Sequence, residues 1–358
     1  MIKKYTPQMV GIKILINDIR RMIDDARSAA AATINTGLTL LHWHIGKRIN
    51  KEILDGGRAK YGKQILATLS QVLCREYGKG FNYSALTRMI RFAEVFPQKE
   101  IVATLSQQLS WSHFVILVTL KEPLQREFYA EICRIERWNV RTLRKKVDSM
   151  LYERTAISRK PADLAQKELA QLREKGNMSP DLVFRDPYVL DFLNLKDTFS
   201  ESDLEKAILW EIEKFLLELG CGFTFVARQK RMIIDSEDYY LDLLLFHRKL
   251  KRLVAVKLKL GKFKAAYKGQ MELYLRWLES NEMESDERTP LGIILCAEGG
   301  KQTIELLQLD ESGIHVAEYM TELPPRIELK KKLHAAIEYA KNRAEKSYGI
   351  ESTGASHE

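Results

Sequence analysis

Residues 224–277 read TFVARQKRMIIDSEDYYLDLLLFHRKLKRLVAVKLKLGKFKAAYKGQMELYLRW, and their patterning decides the fold class. Residues 224–234 and 239–247 are apolar or alternating runs parted by the polar turn Asp235-Ser236-Glu237-Asp238. Runs of this kind, bounded by turn residues, predict two β-strands joined as a hairpin. A basic turn at residues 248–252 leads to a third strand, 253–260, closed by Gly261. The period then changes. Ala265, Ala266, Gly269, Leu273, Trp277 and Leu278 recur at helical spacing, so sheet gives way to helix near Phe263.

Three charges inside these strands call for an explanation. Asp242 interrupts the apolar run 240–246, and Lys257 and Lys259 share one face of the next strand because strand side chains repeat every second residue. A half-exposed sheet face would carry such charges without using them. The sharper reading is a site.

The order strand, Asp, strand, acid-x-Lys, helix resembles the core of the PD-(D/E)xK nucleases. Longer stretches, YLDLLLFHR (240–248), KLGKFKAAYKGQMELYLRW (259–277) and the amino-terminal LLHWHIGKRI (40–49), resemble the YhcG-type bacterial family of that superfamily, over about residues 37–334. The resemblance implies that Asp242 and a second acid hold a divalent metal, Mg²⁺ or Mn²⁺, and that Lys259 stands beside the water or the scissile phosphate. It implies a helper carboxylate on the preceding helix, for which Glu211 is the choice, although an exposed helix acid would look the same. Gln270 and Tyr274 match a Q-x-x-x-Y pattern that some relatives carry on the following helix.

One position departs from the pattern. Where the family has Glu or Asp, this chain has Lys257, in VKLKLGK. Mg²⁺ takes hard oxygen ligands, and an ammonium cannot supply one. Two unit charges ~4 Å apart interact by about 4 kcal/mol at an effective dielectric near 20, and a divalent ion feels more. Lys257 is therefore expected to weaken or abolish metal binding unless Glu211, Glu213, Asp235 or Glu272 supplies the missing oxygen.

The chain has 358 residues, enough for two or three domains, with 45% hydrophobic and 29% charged residues as in ordinary globular proteins. A net charge of +9 points mildly to a polyanionic partner. Cys74, Cys133, Cys221 and Cys296 show no metal-type spacing and read as buried small apolar residues of a reducing compartment. No apolar stretch approaches the length of a membrane span, and the opening MIKKYTPQMVGIKILI lacks a signal peptide's apolar core and cleavage site. The expectation is a cytoplasmic protein without a membrane partner.

Residues 1–153 are helical in pattern and predict an all-α, helix-turn-helix-like DNA-binding domain. One helix is expected over 6–36, capped by Gly37, and a second over 38–54. His42 and His44 flank Trp43 but face opposite ways on a helix, so they do not suit a shared metal. Residues 61–96 have a helix-turn-helix cadence in which Arg88 and Arg91 lie on the second helix, beside polar residues suited to a groove; plain helical packing would look similar. Ala67-Thr68-Leu69-Ser70-Gln71 recurs at 103–107, which suggests a tandem pair of such units. Residues 124–152 form a basic helix in which Arg141, Arg144 and Lys145 make either a backbone-tracking stripe or a solvated face.

Residues 154–185 read as a linker and 186–345 as the α/β nuclease-like domain in αβββαβ order, with 346–358 a disordered tail. The helix at 200–219 starts on a capping box, and later strands lie at 291–297 and 313–319. Lys230, Lys262, Lys264 and Lys268 crowd the candidate site's end and could hold a phosphate backbone. The expected function is DNA binding of the metal-dependent nuclease type, with cleavage impaired by Lys257. The rival is a non-catalytic DNA-binding or scaffold protein. A homo-oligomer is left open, and a partner in a defence system follows from family association alone.

Overall fold

A computed structural model of the chain describes residues 7–55, 59–193, 195, 199–220, 222–299, 301–307, 309–322 and 324–353. It divides into two compact units, Met1–Lys145 and Lys146–Glu358.

The first unit is helical. Helix α1 (Pro7–Asp55) runs without a break through Gly37, whose expected role as a C-cap is not taken up. Gly37 has no positive φ, and nothing there offers the chain a left-handed exit. Helices α2 (Ala59–Tyr77) and α3 (Tyr83–Val95) follow, joined by a short turn at residues 78–82. Asn82 starts α3 by accepting a hydrogen bond from the Ala85 amide at 2.8 Å. Leu86 and Met89 of α3 pack with Ile49 and Leu66 in one apolar cluster. Gly46 lets α1 and α3 meet backbone to backbone: a Cβ there would lie 1.8 Å from the Met89 carbonyl oxygen. The buried Trp43 indole donates to the Phe96 carbonyl at 2.7 Å, and the His42 ring packs tilted against Trp111 with centroids 4.6 Å apart.

Helices α4 (Lys99–Ser106), α5 (Trp111–Leu117), α6 (Pro123–Glu136) and α7 (Val140–Asp148) complete this part. The two copies of ATLSQ do not occupy equivalent places. The first lies inside α2, which continues to Tyr77, while the second is where α4 ends. The tandem duplication therefore does not hold. Nor is 124–152 one helix. Arg137 and Met150 adopt left-handed backbone conformations, with φ of 53° and 54°, and cut it into α6, α7 and α8 (Leu151–Arg154). Trp138 is a core anchor, 7% exposed, whose Nε1 donates to Glu136.

In the second unit, the segment read as a linker is folded. It contains α9 (Ala162–Lys175) and α10 (Pro180–Val183), followed by a two-residue strand β1 (Tyr188–Val189) that the patterning did not announce. Lys160 bridges Glu168 and Asp181, and Asp186 binds Arg159 at 2.8 Å and the Glu318 amide at 2.9 Å. Asp186 is thus a structural carboxylate.

The helix expected at 200–219 is two helices, α11 (Glu201–Trp210) and α12 (Ile212–Leu219), broken at Glu211 (φ −105°, ψ 32°). Strands β2 (Phe223–Ile234), β3 (Glu237–His247) and β4 (Arg252–Lys262) form an antiparallel meander. Helix α13 (Ala266–Asn281) crosses to β5 (Arg288–Glu298), and α14 (Lys301–Leu306) leads to β6 (Ile314–Met320). The sheet order is β1-β6-β5-β4-β3-β2, with β4, β5, β6 and β1 parallel. Met271, Tyr274, Leu275 and Leu278 of α13 pack on Leu244, Ala255, Ile294 and Ile314 of the sheet. The inward stripe thus lies one step round from the one read off residues 265, 269 and 273, because Gly269 is exposed. Helix α15 (Arg326–Thr353) sets Leu329 and Leu333 against Met150. Residues 346–353 of the expected tail belong to this helix, and 354–358 lie outside the described residues. Cys133 and Cys296 are buried, and burial pushes each thiol up to about 12; Cys74 is half-buried, and Cys221 lies outside the described residues.

Candidate active site

The site forms where the sheet splits. The β3–β4 ladder runs from His247 opposite Arg252 to Leu243 opposite Val256, then stops. Beyond that point β3 stays with β2, pairing Leu241 with Lys230, while β4 stays with β5, pairing Lys257 with Ile294 and Lys259 with Cys296. The next residues in the broken ladder would be Asp242 and Lys257. Splitting a sheet frees backbone donors and acceptors that must find partners.

Side chains supply those partners. The Leu258 amide donates to Asp242 Oδ2 at 2.7 Å, and Lys257 Nζ donates to Asp242 Oδ1 at 2.7 Å and to the Tyr240 carbonyl at 3.0 Å. Lys259 Nζ binds Glu201 Oε2 at 3.1 Å, and the Leu260 amide donates to Glu201 Oε1 at 3.3 Å. Lys259 also stands 5.3 Å over the Tyr267 ring. From α13, the Gln270 amide donates to the Tyr274 hydroxyl at 2.9 Å, and that hydroxyl lies 3.5 Å from the Tyr240 carbonyl. Burial raises the Tyr274 phenol's pKa, and the Asp242 charge adds to the rise.

Asp242, Lys257, Lys259, Gln270 and Tyr274 are therefore brought together. Glu211 is not. It sits at the break between α11 and α12, paired with Lys214 at 2.8 Å. The helix carboxylate at the site is Glu201, which pattern reading missed. Its signal was the capping box, in which Ser200 and Asp203 fix the helix start. Helical side chains tilt toward the N-terminus, so an acid in the first turn reaches past the helix end. The other candidate oxygens are engaged elsewhere or sit in solvent: Glu272 pairs with Lys268, Asp235 sits in the exposed β2–β3 turn, and Glu213 is exposed.

The cations divide into two sets. Arg88, Arg141, Arg144 and Lys145 are exposed on α3 and α7 of the first unit, as is Arg91, which lies 3.5 Å from Glu94. In the second unit Lys230 pairs with Glu282, Lys262 with Glu298, and Lys268 with Glu272 and the Leu307 carbonyl, while Lys264 is exposed.

A divalent ion needs several oxygens converging on one point. Among the described residues no group of three or more His, Cys, Asp or Glu side chains does so. Asp242 is committed to Lys257 and the Leu258 amide, and Glu201 to Lys259 and the Leu260 amide. These residues do not fit the metal that the nuclease pattern implies. Chemically they form two neighbouring ion pairs on one face of β4, which can receive an anion but cannot activate a water as a Lewis acid would.

Residues 181–334 match the YhcG PDDEXK nuclease domain, and residues 18–154 match the DUF1016 N-terminal domain. The chain belongs to the YhcG family, with a helical amino-terminal part and a PD-(D/E)xK nuclease domain. It is 35% identical over 321 residues to the YhcG protein of Escherichia coli (strain K12), which carries "nuclease" in its name; the match covers 81% of this chain and 84% of that one. Among solved structures it matches a repair endonuclease from Pyrococcus abyssi at 22% identity and a TM-score of 0.25, over 36% of this chain and 50% of that one. It also matches EndoMS in a double-stranded DNA complex at 17% identity and a TM-score of 0.27, over 37% and 49%. No helix among the described residues is long and apolar enough to cross a membrane.

Proposed function

We propose that this chain is a DNA-binding protein whose nuclease domain holds the DNA backbone without cutting it. The observation that carries the reading is the 2.7 Å contact between Lys257 and Asp242, an ammonium at the position where the nuclease pattern calls for a metal-binding acid. Phosphodiester hydrolysis in this superfamily depends on a divalent ion, and an ammonium beside Asp242 opposes its binding. Binding remains open to the chain. Lys257 and Lys259 line the split, and exposed Arg88, Arg91, Arg141, Arg144 and Lys145 add positive charge in the other unit. Contacts to phosphate supply affinity without reading sequence, so the reading names no target site.

The test is a titration of labelled duplex DNA with the full chain over a range of salt. The expected result is binding that weakens steeply and linearly on a log–log salt plot, with the DNA left intact. Binding of RNA but not DNA would change the partner, and no binding to either would overturn the reading.

A further inference from the structure

We propose that Lys257 is a built-in counter-ion: its ammonium stands between Asp242 and an incoming phosphodiester, so that nucleic acid binds this site without any divalent metal. The proposal rests on the DNA-binding reading above and adds how the phosphate is held.

Donor counting supports it. An ammonium carries three N–H donors and no acceptor. Lys257 uses one on Asp242 Oδ1 and one on the Tyr240 carbonyl, which leaves the third for a phosphate oxygen. Lys259 has one bond, to Glu201, among the described contacts. Both lysine side chains are 15% exposed, enough to reach the opening of the split while their stems stay packed.

The two acids differ in how firmly they are held. Asp242 is 11% exposed and fixed from both oxygens, by Lys257 and by the Leu258 amide. Glu201 is 44% exposed, and its bond to the Leu260 amide is long at 3.3 Å. A phosphate can therefore displace Glu201 from Lys259 while Asp242 keeps Lys257 in place. The resting site is neutral, two lysines against two carboxylates. Exchanging Glu201 for one phosphodiester keeps it neutral. A divalent ion added to the same set would leave an excess of two positive charges, which explains in electrostatic terms why the ammonium and the metal exclude each other.

The test compares DNA affinity in EDTA and in Ca²⁺ at constant ionic strength, together with Mn²⁺ binding to the DNA-free full chain by electron paramagnetic resonance. The natural chain should bind DNA equally, to within about twofold, in both buffers, and should show no saturable Mn²⁺ site. Lys257→Glu should bind DNA about tenfold more weakly in EDTA, recover with Ca²⁺, and melt at a higher temperature when Mn²⁺ is added. If Lys257→Glu does not fold, Lys257→Gln should show a similar loss of about tenfold with no rescue by Ca²⁺. One-to-one Mn²⁺ binding to the natural chain, a tenfold gain with Ca²⁺, or variants that bind DNA as tightly as the natural chain would each overturn the proposal. Absence of DNA binding in both buffers would overturn the DNA-binding reading and this proposal with it.

Discussion

Lys257 and Asp242 face each other at the break in the β3–β4 ladder, with side chains 15% and 11% exposed. A half-buried ion pair of this kind adds little net stability, yet removing one partner strands the other's charge. Asp242→Asn is therefore expected to cost about 3 kcal/mol, read by urea denaturation, because Lys257 loses its counter-charge and the one remaining oxygen cannot serve both Lys257 and the Leu258 amide. Combining Asp242→Asn with Lys257→Met should recover most of that loss, the signature of a coupled pair. Strand parity alone puts Lys257 and Lys259 on one face, and Asp242 was legible as a charge inside an apolar run, whereas Gln270 and Tyr274 came only with the family resemblance. Glu201 was not, because the helix carboxylate was sought in mid-helix. The break at Glu211 moves that position away from the strands, and nothing in an amphipathic stripe announces a break.

Elements are tied down by contacts that periodicity does not report. Glu218, on α12, accepts from Arg154 at 2.5 Å, from Arg185 at 3.3 Å and from the Val189 amide of β1 at 2.9 Å. Burial alone would raise this carboxyl's pKa, but the two arginines outweigh it and hold the pKa below its ordinary value. A depressed carboxylate pKa adds stability that is fully present above the unfolded value of 4.5 and is lost as pH falls through the lower folded value. Acid unfolding of the second unit should accordingly begin below about pH 4.5, and Glu218→Gln should remove that part of the pH dependence. The substitution should also cost about 3 kcal/mol at neutral pH, since two buried guanidinium groups lose their counter-charge. In the first unit Gly46→Ala is expected to destabilise by about 3 kcal/mol, because a methyl group cannot share space with the Met89 carbonyl; thermal unfolding would read it. Strands and their hairpin turn were legible because alternation and turn chemistry are local. The unbroken α1 and the strand β1 were not, because helix continuation through Gly37 and a two-residue strand both depend on tertiary partners.

At the scale of the molecule, a net charge of +9 sets the sign of the long-range field, and the exposed cations decide where it acts. Arg141 and Arg144 are exposed on α7, so replacing both with Ala should reduce the slope of log affinity against log salt by about 2 if each meets a phosphate. An unchanged slope would assign them to a solvated face. The division into a helical part and a sheet-bearing part was legible from the change of hydrophobic period. The segment at 154–185 was misjudged because polar composition resembles a linker, whereas here Lys160, Asp181 and Asp186 spend their charges on ion pairs within a folded unit.

On the proposed reading, one ammonium keeps this nuclease domain from cutting. A plasmid-cleavage assay in Mg²⁺ or Mn²⁺, comparing the natural chain with Lys257→Glu, tests it most directly. Intact plasmid is expected with the natural chain, and nicked or linear plasmid with Lys257→Glu. Equal, robust cleavage by both proteins would contradict it.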